Sequence, residues 1–455
     1  MRAERYSDIL VFIKAFKVYG VIVTLPGILH ISKIHKDENK KTRLLFIIDG
    51  ALINAALVLT AGIFLSGYIV FLGGSDFLVG LLNNSLTWAS VAALFSYLIY
   101  ERMESRKNFL LTLLIVSRLM VCSVIFLPLI FGKGPVTLWI LTVTVIVGSV
   151  LWGIYAIGSS VWMMGSFPKE TRNEFIYKRV FWLRISFTLF TIIMGFILDW
   201  SGKSYAGFVI VFLTSMVLSL ADAIVLFNVK EPANKISKNY TFNLKMFFEP
   251  FTRKNYRTFL VFIFLFYSSL TISSSFTPLY LIRYLKFDYK FISVINVITY
   301  LFLILFTGLW SKLESKKGLM FVFKITGLIA IVEFLIYGFL KSDTYFLLYL
   351  APVFAGVGYS GFNVAVMNYR YELMPENNRT IYEGWFGAVL GLSMLVSPVI
   401  GNFIMNRLPV LQNSYFQFSK FQIMYIISFI LAVGVVLLAQ KGSSKSEVYT
   451  SNLQA

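Results

Sequence analysis

The sequence has few of the residues on which soluble enzymes and metal sites depend. It contains one cysteine, Cys122, and two histidines, His30 and His35, and charged residues make up only 14% of its 455 positions. One cysteine excludes a disulfide framework and a thiolate zinc site, and two histidines five residues apart form no HExxH motif. Soluble domains carry roughly 25% charged residues. We therefore expect a protein that is not an enzyme, with no catalytic residues, no metal and no cofactor.

Long apolar runs dominate the chain. Hydrophobic residues make up 58% of it, the mean hydropathy is +0.76, and there are 45 Phe, 25 Tyr and 8 Trp. A helix needs about 20 apolar residues to cross a hydrocarbon core of about 30 Å. Twelve runs are of this order, so the sequence predicts an all-α integral membrane protein surrounded by lipid. The runs are 44–72, 77–100, 109–131, 136–163, 183–200, 205–227, 258–284, 289–310, 318–340, 344–368, 381–405 and 421–439.

The net charge of +19 is explained by topology. If both termini are cytoplasmic, 31 of the 41 Lys and Arg residues lie on the cytoplasmic side and 8 on the other side. Cytoplasmic loops of membrane proteins carry such an excess. We therefore expect a multi-pass protein of the cytoplasmic membrane that binds no nucleic acid.

The N-terminal segment allows two interpretations. Residues 9–31 are apolar enough to form a thirteenth span, but Lys14, Lys17, Gly20 and Pro26 interrupt the run. An additional span would invert the charge distribution across the membrane. We therefore favour an interfacial helix whose lysines reach the headgroup region.

The chain contains an internal duplication. Three residue pairs in the loops after the fourth and tenth runs lie 207 positions apart. Gly195 in the fifth run and Gly401 in the eleventh differ by 206. Six helices per repeat bring both halves into the membrane from the same side, which indicates a parallel repeat. The three pairs are Pro168 and Pro375, Arg172 and Arg379, and Phe175 and Tyr382.

The duplication predicts two six-helix bundles joined by a cytoplasmic linker. A terminal segment flanks the bundles on each side. The predicted units are an interfacial N-terminal segment 1–43, a bundle 44–227, a linker 228–257, a bundle 258–440 and a tail 441–455.

A loop motif gives the duplication a family resemblance. The loop after the eighth run, residues 308–317, reads GLWSKLESKK, and the loop after the second, residues 98–107, reads LIYERMESRK. Both resemble the G-x-x-x-D-R-x-G-R-R/K loop of the major facilitator superfamily. The first copy lacks the initial glycine, and its acid and arginine stand one place early. The resemblance covers about residues 44–440 and implies a twelve-helix fold whose first, fourth, seventh and tenth helices line a central cavity.

Polar and aromatic residues on these helices are candidates for a substrate cavity. They carry almost no charge, which argues against strongly anionic substrates. Each of them is also compatible with ordinary helix packing. The candidates are Asn54, Trp152, Tyr155, Tyr267, Ser268, Tyr359 and Asn363, with Tyr300 beside them.

Five charges embedded in the apolar runs require an explanation, because charged residues at bilayer depth are costly. Two of them, Lys324 and Glu333, lie in the ninth run. Asp49, near the start of the first run, is a candidate for proton or cation coupling, or else an acid favoured at a helix start. Arg118 and Asp222 are a candidate ion pair between the third and sixth helices, with snorkelling of the arginine as the alternative.

The loop charges suggest a cytoplasmic gate between the two halves. We expect Arg106 and its neighbours to meet Glu383, and Glu314 to meet basic residues of the first half, in an outward-facing state. The alternative is that these charges are solvated and only fix the topology. The gate candidates are Glu101, Arg102, Arg106, Lys107, Glu314, Lys316, Lys317 and Glu383.

The resemblance implies a secondary active transporter that moves a small organic solute by alternating access, with proton coupling left open. No Walker-type phosphate loop is present. A multidrug antiporter is one alternative, although the fifth run lacks the Gly-Pro of that group. A non-transporting membrane subunit or receptor is another. We expect a monomer.

Overall fold

The computed structural model describes residues 38–94, 99–100, 103, 105–166, 169–231, 244–375, 379–413 and 415–451. All regular elements in this part of the chain are helical, which confirms the all-α class. The predicted interfacial helix at 9–31 lies outside the described residues.

The N-terminal half contains five long helices and several short ones. Serine side chains cap two of them: Ser75 accepts from the amide of Leu78, and Ser204 from that of Gly207. Such caps satisfy amides that a helix start leaves unpaired. The helices are α1 (Glu38–Leu59), α2 (Gly62–Phe71), α3 (Asp76–Asn83), α4 (Ser85–Trp88), α5 (Ser90–Ala93), α6 (Lys107–Ser123), α7 (Leu127–Phe131), α8 (Pro135–Gly165), α9 (Lys169–Trp200) and α10 (Tyr205–Phe227).

The described part of the C-terminal half contains six long helices and three short ones. A 3₁₀ turn, Val124–Phe126, joins α6 to α7 in the first half, and a π-helical turn, Tyr280–Tyr284, follows α14 in the second. The helices are α11 (Leu244–Phe247), α12 (Glu249–Thr252), α13 (Lys254–Ser274), α14 (Thr277–Leu279), α15 (Tyr289–Lys317), α16 (Leu319–Gly338), α17 (Leu347–Leu373), α18 (Arg379–Arg407) and α19 (Ser419–Ser451).

Eleven stretches of the described chain are long and apolar enough to cross a membrane. The predicted run at 77–100 is not among them, because it is divided into α3, α4 and α5. The division begins at Asn83 and Asn84, whose side chains donate to Ser275 of the other half at 3.2 and 2.9 Å. Asparagine offers the backbone alternative hydrogen bonds and is a poor helix former. The second span therefore follows an interrupted path where the halves meet.

Two further spans are broken near the middle of the molecule. α1 ends at Leu59, and Gly62 begins α2 with a φ of +51°, a conformation that favours glycine. α13 ends at Ser274, and Pro278 lies in the next short helix, α14. The two breaks lie in the first span of each half. Broken helices at corresponding positions are typical of binding sites in transporters.

The two halves meet along two equivalent pairs of helices. α9 of the first half packs against α15 of the second, and the short helices α3, α4 and α5 pack against α18. The six-helix repeat relates α9 to α18 and the short helices of the second span to α15. The two contacts are therefore equivalent. α2 also contacts α14. The interface therefore has the two-fold character that the sequence duplication predicts.

The bundle has two ends, which are named here after Asp76 and Asp49. The Asp76 end carries the turns at residues 72–75, 132–134 and 201–204. The Asp49 end carries the start of α1 and the ends of α8 and α10. The excess of Lys and Arg lies at the Asp49 end, which we expect to be cytoplasmic.

Candidate functional site

A cavity of about 260 Å³ lies between the two halves, beside the breaks at Gly62 and Ser275. Both halves contribute to it, with Phe187 of α9 facing Phe291 of α15 across the interface. No charged side chain lines it among the described residues. Its polar lining consists of Asn83, Thr191, Ser274, Thr277, Asn296, Tyr300 and Tyr337.

Several polar side chains in this central cavity have unused hydrogen-bonding capacity, and the amide of Asn296 has the most. The Asn296 amide makes no hydrogen bond with any other described residue, whereas Asn83 and Thr277 are engaged with Ser275 and Tyr425. An amide offers two donors and an acceptor. The cavity can therefore bind a neutral molecule that carries hydroxyl or amide groups.

The Asp76 end of the bundle is closed by polar contacts between the halves. Arg283 forms an ion pair with Asp76 and also donates to the carbonyl oxygen of Gly74 at 2.8 Å. The Tyr284 hydroxyl donates to the second oxygen of Asp76 at 2.5 Å. Charge-assisted hydrogen bonds of this kind are stronger than neutral ones. They hold the start of α3 against the end of the seventh span.

A second closure lies nearby at the start of α15. The Asp199 carboxylate accepts from the backbone amides of Tyr289 and Lys290 at 3.0 and 2.7 Å. Lys203 forms an ion pair of 3.1 Å with Asp288. Between pairs of described residues, the hydrogen bonds that join the halves lie at the Asp76 end or beside the central cavity, apart from the one from Ser90 to Gly387. The central cavity is therefore shut on the Asp76 side.

A second cavity, of about 200 Å³, lies within the N-terminal half. Asp49 and Arg179 line it and form an ion pair of 2.7 Å, with side-chain exposures of 2% and 19%. Arg179 also donates to the carbonyl oxygen of Phe46 at 3.0 Å. This pair joins α1 to α9. Among the described residues, Asp49 and Arg179 are the only charged ones that line this cavity.

Arg118 and Asp222 do not form the hydrogen-bonded ion pair that the sequence predicts. The Arg118 guanidinium is 1% exposed and donates to the Thr60 and Ser215 hydroxyls, to Ser219 and to a backbone carbonyl. Asp222 is fully buried, and neither of its carboxylate oxygens has a hydrogen-bond partner in the described part of the chain. Arg118 therefore bonds to serines of α10 and not to the carboxylate of Asp222 on the same helix.

The predicted cavity residues divide between three places. Tyr300 lines the central cavity, where Phe187 packs on it edge-to-face and Arg184 lies 5.0 Å above its ring. Three residues, Asn54, Trp152 and Tyr155, line the cavity of the N-terminal half with Asp49. Four line neither cavity: Tyr267, Ser268, Tyr359 and Asn363.

The predicted gate residues are engaged within their own halves. The Arg106 side chain donates to the Tyr100 carbonyl at 3.0 Å, and Lys107 to that of Phe227 at 2.6 Å. Glu383 forms an ion pair of 3.2 Å with Arg370. This structure therefore does not bring Arg106 and Glu383 together, and the gate stays a prediction for another conformation.

Glu314 follows the same pattern. It accepts from the Asn368 amide at 2.8 Å, within the C-terminal half. Lys316 and Lys317 lie in the last turn of α15, where positive charge is favourable to the helix dipole. Glu101 and Arg102 lie outside the described residues.

Sequence reasoning missed the residues that close the Asp76 end and the amide of the central cavity. Arg283 lies at the end of an apolar run and resembles an ordinary interfacial charge. A signal was present at Asn83 and Asn84, since two amides inside a predicted span are costly without partners. Asn296, in the eighth run, carried the same signal.

Comparisons with known proteins bear on this architecture. The profile of the Major Facilitator Superfamily matches residues 260–450. No curated protein sequence matches the chain.

Solved structures match over nearly the whole chain. The nucleoside transporter NupG has a TM-score of 0.61 at 16% identity, with 88% of this chain and 98% of that chain covered. A D-xylose–proton symporter has a TM-score of 0.67 at 14% identity, with 87% and 96% covered. A bacterial homologue of the iron transporter ferroportin, in an inward-facing state, has a TM-score of 0.64 at 14% identity, with 89% and 98% covered. This multi-pass membrane protein therefore has the fold of these transporters, and its C-terminal half matches the profile of the Major Facilitator Superfamily.

Proposed function

We propose that the protein is a secondary active transporter that carries a small, neutral, polar organic solute by alternating access, with the solute bound in the central cavity. The supporting observation is the cavity itself: it lies between the two halves, beside the breaks of the first and seventh spans, and it is shut at the Asp76 end. Sites at the interface of repeats and at broken helices are the usual arrangement in such transporters.

The size and lining of the cavity favour a particular class of solute. Its volume of about 260 Å³ lies just below the range of roughly 300–1,000 Å³ for drug-sized ligands. This argues for a small metabolite over the large lipophilic cations of a multidrug antiporter. A lining of amides, hydroxyls and aromatic rings suits polyols, sugars or nucleosides. Two of the structural neighbours are described as transporters of nucleosides and of D-xylose, the latter with protons.

The conformation suggests a direction of opening. By the distribution of basic residues, the Asp76 end faces the outside of the cytoplasmic membrane, and the closed end is then the extracellular one. The structure then corresponds to an inward-facing or occluded state. The cytoplasmic gate of Arg106 and Glu383 would form only after the halves rock to the other side.

The test is solute binding and uptake by the purified protein. A panel of sugars, polyols, nucleosides and amino acids should contain a class that raises the melting temperature, since a ligand at a hundredfold excess over its Kd adds about 2.7 kcal/mol. The same class should enter proteoliposomes that contain the protein.

The Asn296→Ala variant tests the location of the site. Loss of one hydrogen bond of about 0.5–1.5 kcal/mol should weaken solute binding roughly 2- to 10-fold. Asn228→Ala is the matched control, because Asn228 is exposed and bonds only to its own helix. Equal binding in both variants would place the solute elsewhere, and no uptake of any solute would favour a non-transporting subunit or receptor.

A further inference from the structure

Asp222 is a buried carboxyl group with no hydrogen-bond donor in the described part of the chain. It lies in the last two turns of α10, its exposure is zero, and neither oxygen accepts a hydrogen bond from any described residue. Buried charges are normally paired or hydrogen-bonded, because an uncompensated one costs several kcal/mol. The ionised form of Asp222 would therefore be unstable in this position.

Charged and titratable groups face Asp222 from each of the four helices around it. The carboxyl group of Asp49 on α1 lies within hydrogen-bonding reach of it. Arg118 on α6, Tyr155 on α8 and Arg179 on α9 interact with it electrostatically. The two arginines are already engaged: Arg179 with Asp49, and Arg118 with hydroxyl groups. The group that remains to form a hydrogen bond with Asp222 is thus the carboxyl group of another acid, Asp49.

Two adjacent carboxyl groups are compatible when they share one proton. A protonated carboxyl group is a donor, whereas two carboxylates repel each other. With a proton on Asp222, its hydroxyl can donate to the carboxylate of Asp49, and neither carboxyl group is left without a hydrogen-bond partner. Asp49 lines the second cavity and Asp222 does not, so a proton that leaves the pair for this cavity would pass through Asp49.

Arg118 lies where it could pair with Asp222 after Asp222 has lost its proton. It donates to Ser215 and Ser219 of α10, and Asp222 lies three residues beyond Ser219 on the same helix. Three residues correspond to about 4.5 Å along the axis. Once Asp222 is ionised, a shift of this size would bring the guanidinium onto its carboxylate.

We propose that Asp222 is a proton-binding site: it holds a proton shared with Asp49 in this conformation, and on release of the proton to the water of the second cavity it pairs with Arg118. The proposal deepens the proposed transport function by naming the residue through which protons would be coupled. The two carboxyl groups and two arginines carry a net charge of +1 with the proton and zero without it.

The test is infrared difference spectroscopy of the reconstituted full-length protein between acidic and alkaline buffer. The C=O stretch of a protonated acid is expected to persist in the wild type after exposed carboxyl groups have ionised. Carbon-13 labelling of the aspartate carboxyl groups should shift this band, which separates it from Glu333 and from lipid. Asp222→Asn should abolish the band, and the amide, which can also donate to Asp49, should preserve the fold.

Two further variants make the test decisive. Asp343→Asn, at an exposed carboxyl group paired with Lys341, should leave the band unchanged. Asp49→Asn should shift its frequency, because the partner of the shared proton changes. No aspartic acid band in the wild type, or a band that survives in Asp222→Asn, would overturn the proposal. Because the measurement needs no solute, either result is independent of whether the central cavity binds one.

Discussion

Equivalent pairs of helices are joined by a charged contact in one half of the protein and by a neutral contact in the other. Asp49 and Tyr256 are 207 residues apart and so occupy equivalent positions, whereas their partners, Arg179 and Tyr382, do not. In the N-terminal half, Asp49 joins α1 to α9 through the ion pair with Arg179. In the C-terminal half, the Tyr256 hydroxyl joins α13 to α18 by donating to the Tyr382 carbonyl at 2.7 Å. The contact between these two helices is thus present in both halves, with an ion pair in the first half and a neutral hydrogen bond in the second.

The difference extends beyond this pair. The N-terminal half holds four charged residues near one another: the buried Asp49, Arg118 and Asp222, and the partly buried Arg179. The C-terminal half supplies much of the polar lining of the central cavity, including Asn296 and Thr277, together with aromatic clusters such as the stacked rings of Tyr337 and Tyr425. Under the proposed function, the N-terminal half would carry the proton chemistry and the C-terminal half most of the solute contacts.

The largest effect should come from breaking the ion pair of the N-terminal half. Arg179→Gln leaves Asp49 buried without its counter-charge, which should cost about 3–5 kcal/mol of stability. The measurement is thermal or denaturant unfolding in detergent. Lys203→Gln is the control, because Lys203 and Asp288 form an exposed pair worth about 0–1 kcal/mol.

A double variant sharpens this prediction. Asp49→Asn combined with Arg179→Gln replaces the pair by two neutral groups and should recover much of the lost stability. If Arg179→Gln were as mild as Lys203→Gln, Asp49 would not depend on its ion pair, and the contrast between the halves would lose its basis.

A smaller effect should come from the interface between the halves. A methyl group at Gly195 would meet the Ser293 hydroxyl at 2.7 Å and the Tyr289 carbonyl at 3.1 Å, both on α15 of the other half. Overpacking of this kind costs about 1–3 kcal/mol, so Gly195→Ala should lower the melting temperature. Gly434→Ala is the control, since a methyl group there has no neighbour within 4 Å and the helix gains up to about 1 kcal/mol. Equal stability of both variants would show that α9 and α15 are not tightly packed in solution.

Hydropathy predicted the helices well but not their ends or interruptions. The fifth run was expected from residue 183, yet α9 begins at Lys169, because an apolar run marks the bilayer core and a helix can continue into water. The break at Gly62 was not foreseen, since the residues on both sides are apolar. Only the conformation of the backbone distinguishes such a break from a continuous span.

The candidate site was predicted in part for a similar reason. Residue type identified Asp49, Tyr155 and Tyr300 on helices that line cavities. It gave no means of choosing a partner for Arg118, because hydroxyl groups such as those of Ser215 and Thr60 look ordinary in a sequence. Three-dimensional placement decides between a carboxylate and a group of hydroxyls.

The most direct test of alternating access is a distance measurement across the Asp76 end. Spin labels at Val136→Cys and Val410→Cys, 56% and 78% exposed and on opposite halves, can be compared by pulsed electron resonance in a Cys122→Ala background. Removing the charge of Asp76 by Asp76→Asn should cost the closed state about 1.5 kcal/mol and favour the open state roughly tenfold. We predict a short distance in the parent protein and a growing population at longer distance in the Asp76→Asn variant. One unchanged short distance in both proteins would contradict alternating access between these two halves.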